Sequence, residues 1–294
     1  MANLNTETRL IKAVEVTEGA GVTVHRSIGV PALRNYDPFM LLDHFCSDQP
    51  DEYMAGFPSH PHRGFCTFTY MLDGHMEHRD SMDNTGNLGP GSAQLMKAAS
   101  GIIHSEMPQQ ENGLMRGFQL WINLPARHKM DAPEYQEYAA DAFPWVKTDH
   151  YQVRLLMGSL EGMIAPIIDD ITQTSYFDVS LKAGKTFSYQ VPVAQNGGLF
   201  VFEGEGCLNS QPVAPKTFVA LGTTDHQFDF MAGKQGARFI LLSALPINEP
   251  IVQYGPFVMN DRAEIEQAMQ DYQSNNFIRH KAQRRHYSDV KTKG

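Results

Sequence analysis

His60-Pro61-His62 and His104-Ser105-Glu106 each place two metal-capable side chains two residues apart. Both triplets lie in runs that read as strand, where residues i and i+2 project from the same face. His60 and His62 can therefore address one cavity, as can His104 and Glu106. Two such strands could bring three imidazoles and one carboxylate to a single point. That donor set suits a borderline divalent cation: iron, nickel, copper, manganese or zinc. In an octahedral shell it leaves open positions for water, O2 or a chelating substrate. A purely structural zinc would more often recruit cysteines and close its shell. Either pair alone arises by chance in many chains, but five of the twelve histidines (His60, His62, His75, His78 and His104) crowd into this stretch. For His75 and His78, which follow a turn at Gly74, a surface or hydrogen-bonding role is the simpler reading.

Strands are needed to position these residues, and the first half supplies them. The run from Phe65 to Leu72 is rich in aromatic and β-branched types and ends at Asp73-Gly74, a hairpin signal. Leu88-Gly89-Pro90-Gly91 marks another turn, Gln94-Leu95-Met96 a strand, and Phe118 to Leu124 a further strand closed by Pro125. Such spacing predicts a sandwich or small barrel. The second half repeats the layout loosely. Leu199 to Gly204 resembles the strand ending at Gly74, and the run after Pro215 resembles the one after Pro90.

The fold class expected is therefore mainly all-β: two tandem antiparallel β-barrels over 1–140 and 141–294, joined through a charged, Pro-punctuated region at 126–150. A short C-terminal helix is predicted within the second domain. Asp261 and Glu264 form a capping box, and Ile265, Ala268, Met269 and Tyr272 make an apolar stripe suited to docking on a sheet. Where a second His-x-His would fall, the chain reads Ser188-Tyr189-Gln190, and His226 alone cannot make a site. Any metal is expected in the N-terminal domain only.

Composition sets outer limits. The net charge of -9 over 294 residues argues against direct nucleic-acid binding. A basic tail at 279–294 carries Arg279, Lys281, Arg284, Arg285, Lys291 and Lys293 against Asp289, and reads as a solvated end. Cys46, Cys66 and Cys207 are sparse and odd in number, as reduced thiols would be. Residues Met1 to Glu7 lack the pattern of a signal peptide, and no apolar run approaches the ~20 residues that span a bilayer. A cytoplasmic location without membrane contact is expected.

Taken together, several strings resemble the pirins, members of the cupin superfamily. They are Gly56-Phe57-Pro58, His60-Pro61-His62-Arg63-Gly64-Phe65, Glu77-His78-Arg79-Asp80-Ser81, Gly101-Ile102-Ile103-His104-Ser105-Glu106-Met107-Pro108, Leu120 to Pro125 and Gln253 to Met259. The resemblance covers nearly the whole chain. It implies a bicupin, two cupin-type barrels with a degenerate C-terminal one, and one Fe(II) ion held by the residues matching His60, His62, His104 and Glu106. Two departures stand out. Cys66 occupies a position where cupins carry a glutamate; it reads as a small buried hydrophobe or as a thiol close to the site. Leu95 stands where pirins often carry tryptophan, at the expected pocket wall.

The resemblance further implies a flavonol dioxygenase of the quercetin 2,3-dioxygenase type, with O2 as co-substrate and Glu106 as the catalytic group that takes the substrate hydroxyl proton. The alternative is a metal- or redox-responsive regulator that binds a transcription factor or metabolic enzyme without turnover. A metal-bound scaffold holding another small ligand is a third reading.

Overall fold

In the computed structural model, residues 7–222 and 226–280 are described, together with the backbone of Gln283 and Arg284. Apart from Arg279, His280 and that short backbone piece, the basic tail lies outside the described residues.

Two compact units make up the chain. One gathers Glu15–Arg26, Phe39–Ala140 and the segment from Ile247 through the C-terminal helix; the other gathers the first strand with Ser27–Pro38 and Asp141–Pro246. This partition differs from a single cut into 1–140 and 141–294. Arg9–Lys12 pairs with Thr217–Ala220, closing an edge of the second-half sheet that would otherwise expose unpaired backbone. The helix Arg262–Gln273, expected with the second half, belongs to the first-half unit. Nor is 126–150 a plain connection, because Glu134–Tyr138 pairs with Ala93–Lys97.

In the first unit, an eight-stranded sheet runs in the order Val14–Glu18, Val22–Ile28, Phe39–Ser47, Met115–Asn123, Phe65–Asp73, Ala93–Lys97, Glu134–Tyr138, Gln283–Arg284. A smaller sheet, ordered Phe57–His62, Ile102–Pro108, Met76–Asp80, Thr85–Leu88, faces it. Phe57–His62 is an end strand. Pro58 and Pro61 are tolerated there because an edge does not demand every N–H.

That strand stops at a turn whose sequence is dictated by a close approach. Gly64 adopts φ +91, and a Cβ there would meet the Val258 carbonyl oxygen at 1.9 Å. Only glycine fits. Beside it, the buried Arg63 donates from Nε to the Ser100 carbonyl (2.6 Å) and from Nη1 to Asp271 Oδ2 (2.7 Å), with its guanidinium 4.4 Å from the centre of the Phe277 ring. The capping box forms as expected at Asp261 and Glu264. The apolar stripe is altered: Tyr272 is 41% exposed, whereas Asp271 is 5% exposed. An acid can occupy the buried face because Arg63 meets it there.

Lys129 completes this clamp. Its Nζ donates to the Gly64 carbonyl (2.8 Å), Asn123 Oδ1 (2.6 Å) and the Val258 carbonyl (2.8 Å). Burial pushes its pKa down to about 8, against the opposing pull of Glu264, Glu249 and Cys66.

The second unit is a nine-stranded antiparallel sheet built around Asn196–Leu208 and Gln227–Ala244. Its interior is filled by apolar side chains such as Val153, Phe177, Leu199, Phe230 and Phe239. Ser188 and Gln190, where a second His-x-His would fall, are exposed on the strand Thr186–Gln190, and Phe187, next to Ser188, faces the apolar interior. No helix among the described residues is long and apolar enough to cross a membrane.

Because folding depresses the pKa of Lys129, the cost of burying its charge is full below pH 8. It lifts as pH rises toward the ordinary value near 10.5. Parent protein should therefore gain on the order of 2–3 kcal/mol of stability relative to Lys129→Met between those pH values. Urea denaturation across the range measures it, and a constant gap would show that Lys129 titrates normally.

Candidate metal centre

Antiparallel register builds the site. His104 lies directly opposite His60 on one side and Asp80 on the other, while Glu106 lies opposite His78. Between His104 and Glu106 the ladder with Phe57–His62 slips, so that Glu106 pairs with Phe57. A bulge of this kind re-aims the side chains around it.

Two donor groups result. Ring nitrogens of His60, His62 and His104 all lie within 4.8 Å of one another, and so do donor atoms of His78, His104 and Glu106. The four residues singled out by spacing are thus gathered in one place, but as two overlapping triads that share His104. His78 completes the second triad. It is fully buried, contrary to a surface role.

The protonation states suit a cation. His60 Nδ1 lies 2.8 Å from the Pro58 carbonyl, which can only accept, so Nδ1 carries a hydrogen and Nε2 is the nitrogen turned toward the cluster. That Nε2 faces His62 Nε2 at 3.0 Å, a contact satisfied by a shared proton or a shared cation. His104 Nε2 is buried with no hydrogen-bond partner among the described residues. An orphaned imidazole nitrogen at the meeting point of two histidine-rich strands is what a ligand looks like without its ion. Burial, followed by the neighbouring imidazoles, holds His62 and His104 well below the ordinary histidine pKa. Both are neutral at pH 7 and have lone pairs to offer.

Glu106 is held from the opposite sheet. Gln94 Nε2 donates to its Oε1 (3.1 Å), and Thr69 Oγ1 lies 3.0 Å from the same oxygen, its single hydrogen shared with Gln119 Oε1 at 2.7 Å; no hydrogen bond among the described residues reaches Oε2. The Tyr135 hydroxyl sits between Gln94 Oε1 (2.6 Å) and Glu137 Oε2 (2.5 Å), with its single hydrogen shared between them. Asp43, Gln119, Thr69, Gln94 and Glu137 are successive cross-strand partners on the large sheet and form a polar row through an otherwise apolar barrel.

These groups open onto a cavity of about 730 Å³, walled by His60, His62, Glu106, Trp121, Phe45 and Phe57. This size falls within the range of small-molecule sites. Trp121 packs against His62, with ring centroids 5.2 Å apart. At the cavity wall, Arg26 makes a two-pronged pair with Asp43 (2.8 and 2.6 Å) and a third contact to Glu18 (2.7 Å). Burial raises the Asp43 pKa despite the opposing effect of Arg26. Spacing arguments missed this trio. The available signal was Asp43 itself, an acid between Leu41 and Phe45 on one face of a buried strand.

Comparison with known proteins places this arrangement. The pirin family model matches residues 21–122, and the model of the pirin C-terminal cupin domain matches 176–278. The chain belongs to the pirin family. It is 43% identical to a pirin-like protein of Caulobacter vibrioides over 92% of this chain and 98% of that relative. It is 44% identical to a provisionally named quercetin 2,3-dioxygenase of Pseudomonas aeruginosa, over 87% of this chain and 92% of that one. A crystal structure of quercetin 2,3-dioxygenase from Acinetobacter baumannii superimposes with TM-score 0.85 at 28% identity, covering 92% of this chain and 96% of that one. The two-cupin pirin architecture, and a His/Glu cluster in the N-terminal unit able to bind a metal, are thus common ground between fold and sequence.

Against that pirin background, two expectations about the pocket are corrected. Counting in twos from His62 would bring Cys66 to the cavity, but the turn at Arg63-Gly64 interrupts the strand and breaks the alternation. Thr67 and Thr69 share a face with Trp121 and Gln119, their cross-strand partners, so Cys66 lies on the other face. Leu95, placed at the pocket wall by the family resemblance, is displaced too. Its neighbour Gln94 faces Glu106, and Leu95 points away from the cavity.

Thr69→Val tests the support of the carboxylate. Removing a donor to a buried acid at constant shape should lower the stability of the metal-free protein by about 1–3 kcal/mol in urea denaturation. An unchanged midpoint would mean that Thr69 does not carry Glu106.

Proposed function

We propose that this chain is a flavonol dioxygenase of the quercetin 2,3-dioxygenase type. In this reading His60, His62, His104 and Glu106 hold one divalent ion, Fe(II), in the N-terminal unit. The observation that carries the proposal is the pairing of an imidazole cluster, in which His104 Nε2 is orphaned, with a carboxylate on the wall of a cavity sized for a multi-ring ligand. The names of the similar Pseudomonas and Acinetobacter proteins support the substrate class. Free thiols at Cys46, Cys66 and Cys207 agree with a reducing, cytoplasmic setting.

When bound, the ion supplies Lewis-acid stabilisation of a deprotonated hydroxyl together with redox capacity toward O2. The residues of the chain do the rest. Phe45, Phe57 and Trp121 present apolar and aromatic surface to the flat rings of the substrate, and exclude water from around the reacting atoms. Thr69 and Gln94 tether Glu106 through Oε1, which leaves Oε2 as the oxygen available to a ligand hydroxyl. Glu106 has to switch from ligand to base as the substrate seats: its Oε2 then accepts the proton of the 3-hydroxyl, and the tether keeps the resulting acid in place. Arg26 is matched by Asp43 and Glu18, so the wall carries excess acceptors and favours ligands that donate hydroxyls over anionic ones.

Anaerobic loading with Fe(II), followed by quercetin and air, should give O2 uptake that saturates in the flavonol. Glu106→Gln should bind the metal more weakly and lose turnover. Full activity in that variant would remove the proposed base. Tight iron binding with no uptake on any flavonol would remove the enzyme reading and leave a binding protein.

A further inference from the structure

His78 and Asp80 are buried beside the proposed ligands, and neither takes part in the reaction as described. Their hydrogen bonds define a direction. Gln94 must turn its amide nitrogen toward Glu106, because a carboxylate only accepts. The same nitrogen lies 3.5 Å from His78 Nδ1, so that ring nitrogen is met by a donor and is itself bare. A neutral imidazole bare at Nδ1 carries its hydrogen on Nε2, and His78 Nε2 faces Asp80 Oδ2 at 3.5 Å. Asp80 is in turn fixed by Asn84 Nδ2 (3.0 Å) and by the backbone N–H groups of Met82 (2.8 Å) and Asn84 (3.1 Å).

The last link is His104. Its Nδ1 lies 3.3 Å from His78 Nδ1, and two bare nitrogens cannot share that contact. With His78 Nδ1 the acceptor, His104 Nδ1 carries the hydrogen. Its orphaned Nε2 is then the lone pair. We infer that Asp80 and His78 form a positioning relay that fixes the tautomer and ring plane of His104, and that His78 is not itself a metal ligand.

This inference rests on the proposed metal-binding role of His104. It assigns the overlapping triad of His78, His104 and Glu106 to support of a single ion site, with no second position for a metal. The design follows a general rule. A ligating imidazole gives its other N–H to a fixed acceptor, and loss of that acceptor typically costs about 10–100-fold in metal affinity.

The test is a competition titration of Fe(II) against a chromophoric chelator under argon, using the full chain. His60→Ala reports on the ligand set itself. His78→Phe and Asp80→Ala should weaken binding by about 10–100-fold. His78→Gln should restore most of the affinity, since its Oε1 can accept from His104 and its Nε2 can donate to Asp80. His78→Phe binding as tightly as the parent would overturn the relay. Failure of His78→Gln to rescue would show that His78 ligates the ion. A parent that binds no metal would remove the ligand reading, and the relay with it. Long-range proton–nitrogen correlation spectra of the parent need no variant. They should show His104 protonated on Nδ1 and His78 on Nε2, and the reverse pattern would equally overturn the inference.

Discussion

Everything at the site depends on one register: His104 standing opposite His60 in an antiparallel pair, with Asp80 on its far side. Register in a β-ladder is all or nothing, because a slip of one residue turns every side chain to the other face. Here it places His62 and His104 in a space too dry to let them charge. Burial drives His62 and His104 to the neutral form, and neutral rings with lone pairs in a confined volume repel unless protons or a cation intervene. Those interactions are supplied by the Pro58 carbonyl at His60, by His78 at His104, and, in the reading developed above, by a metal ion at the nitrogens that remain.

The register is protected from outside the site. The strand bearing His60 and His62 is an edge strand, which by itself would be poorly constrained. Its C-terminal end is pinned at Arg63 and Gly64 by three elements remote in sequence. Val258 approaches so closely that position 64 must be glycine, Asp271 pairs with Arg63, and Lys129 gathers carbonyls from both segments. The exchange of the C-terminal helix into this unit therefore has a direct use: it braces the strand that carries two of the donors.

Much of this was legible in the sequence. Period-two spacing revealed His60, His62, His104 and Glu106, because strand alternation is local and needs no tertiary knowledge. Turn chemistry at Gly74 and Pro90-Gly91, and the capping box at Asp261, marked elements that the structure contains. What escaped were relations between strands. His78 read as a surface or hydrogen-bonding residue after the Gly74 turn, and only pairing set it opposite Glu106 in the interior. Thr69 and Gln94 are ordinary polar residues whose role exists only because two sheets face each other. Cys66 was misplaced because alternation holds only within an unbroken strand, and the Gly64 turn resets the count; Leu95 was placed by family resemblance, which does not say which face of its strand turns inward. Membership of the helix and of Arg9–Lys12 could not be read from order along the chain, since edge pairing and ion pairing decide it.

Anomalous diffraction at the iron edge, from crystals of the Fe(II)-loaded chain, bears most directly on this account. It predicts one peak in the N-terminal unit, at bonding distance from His60, His62, His104 and one oxygen of Glu106. A peak coordinated by His78 in place of His60 and His62, or one lodged in the second unit, would contradict it.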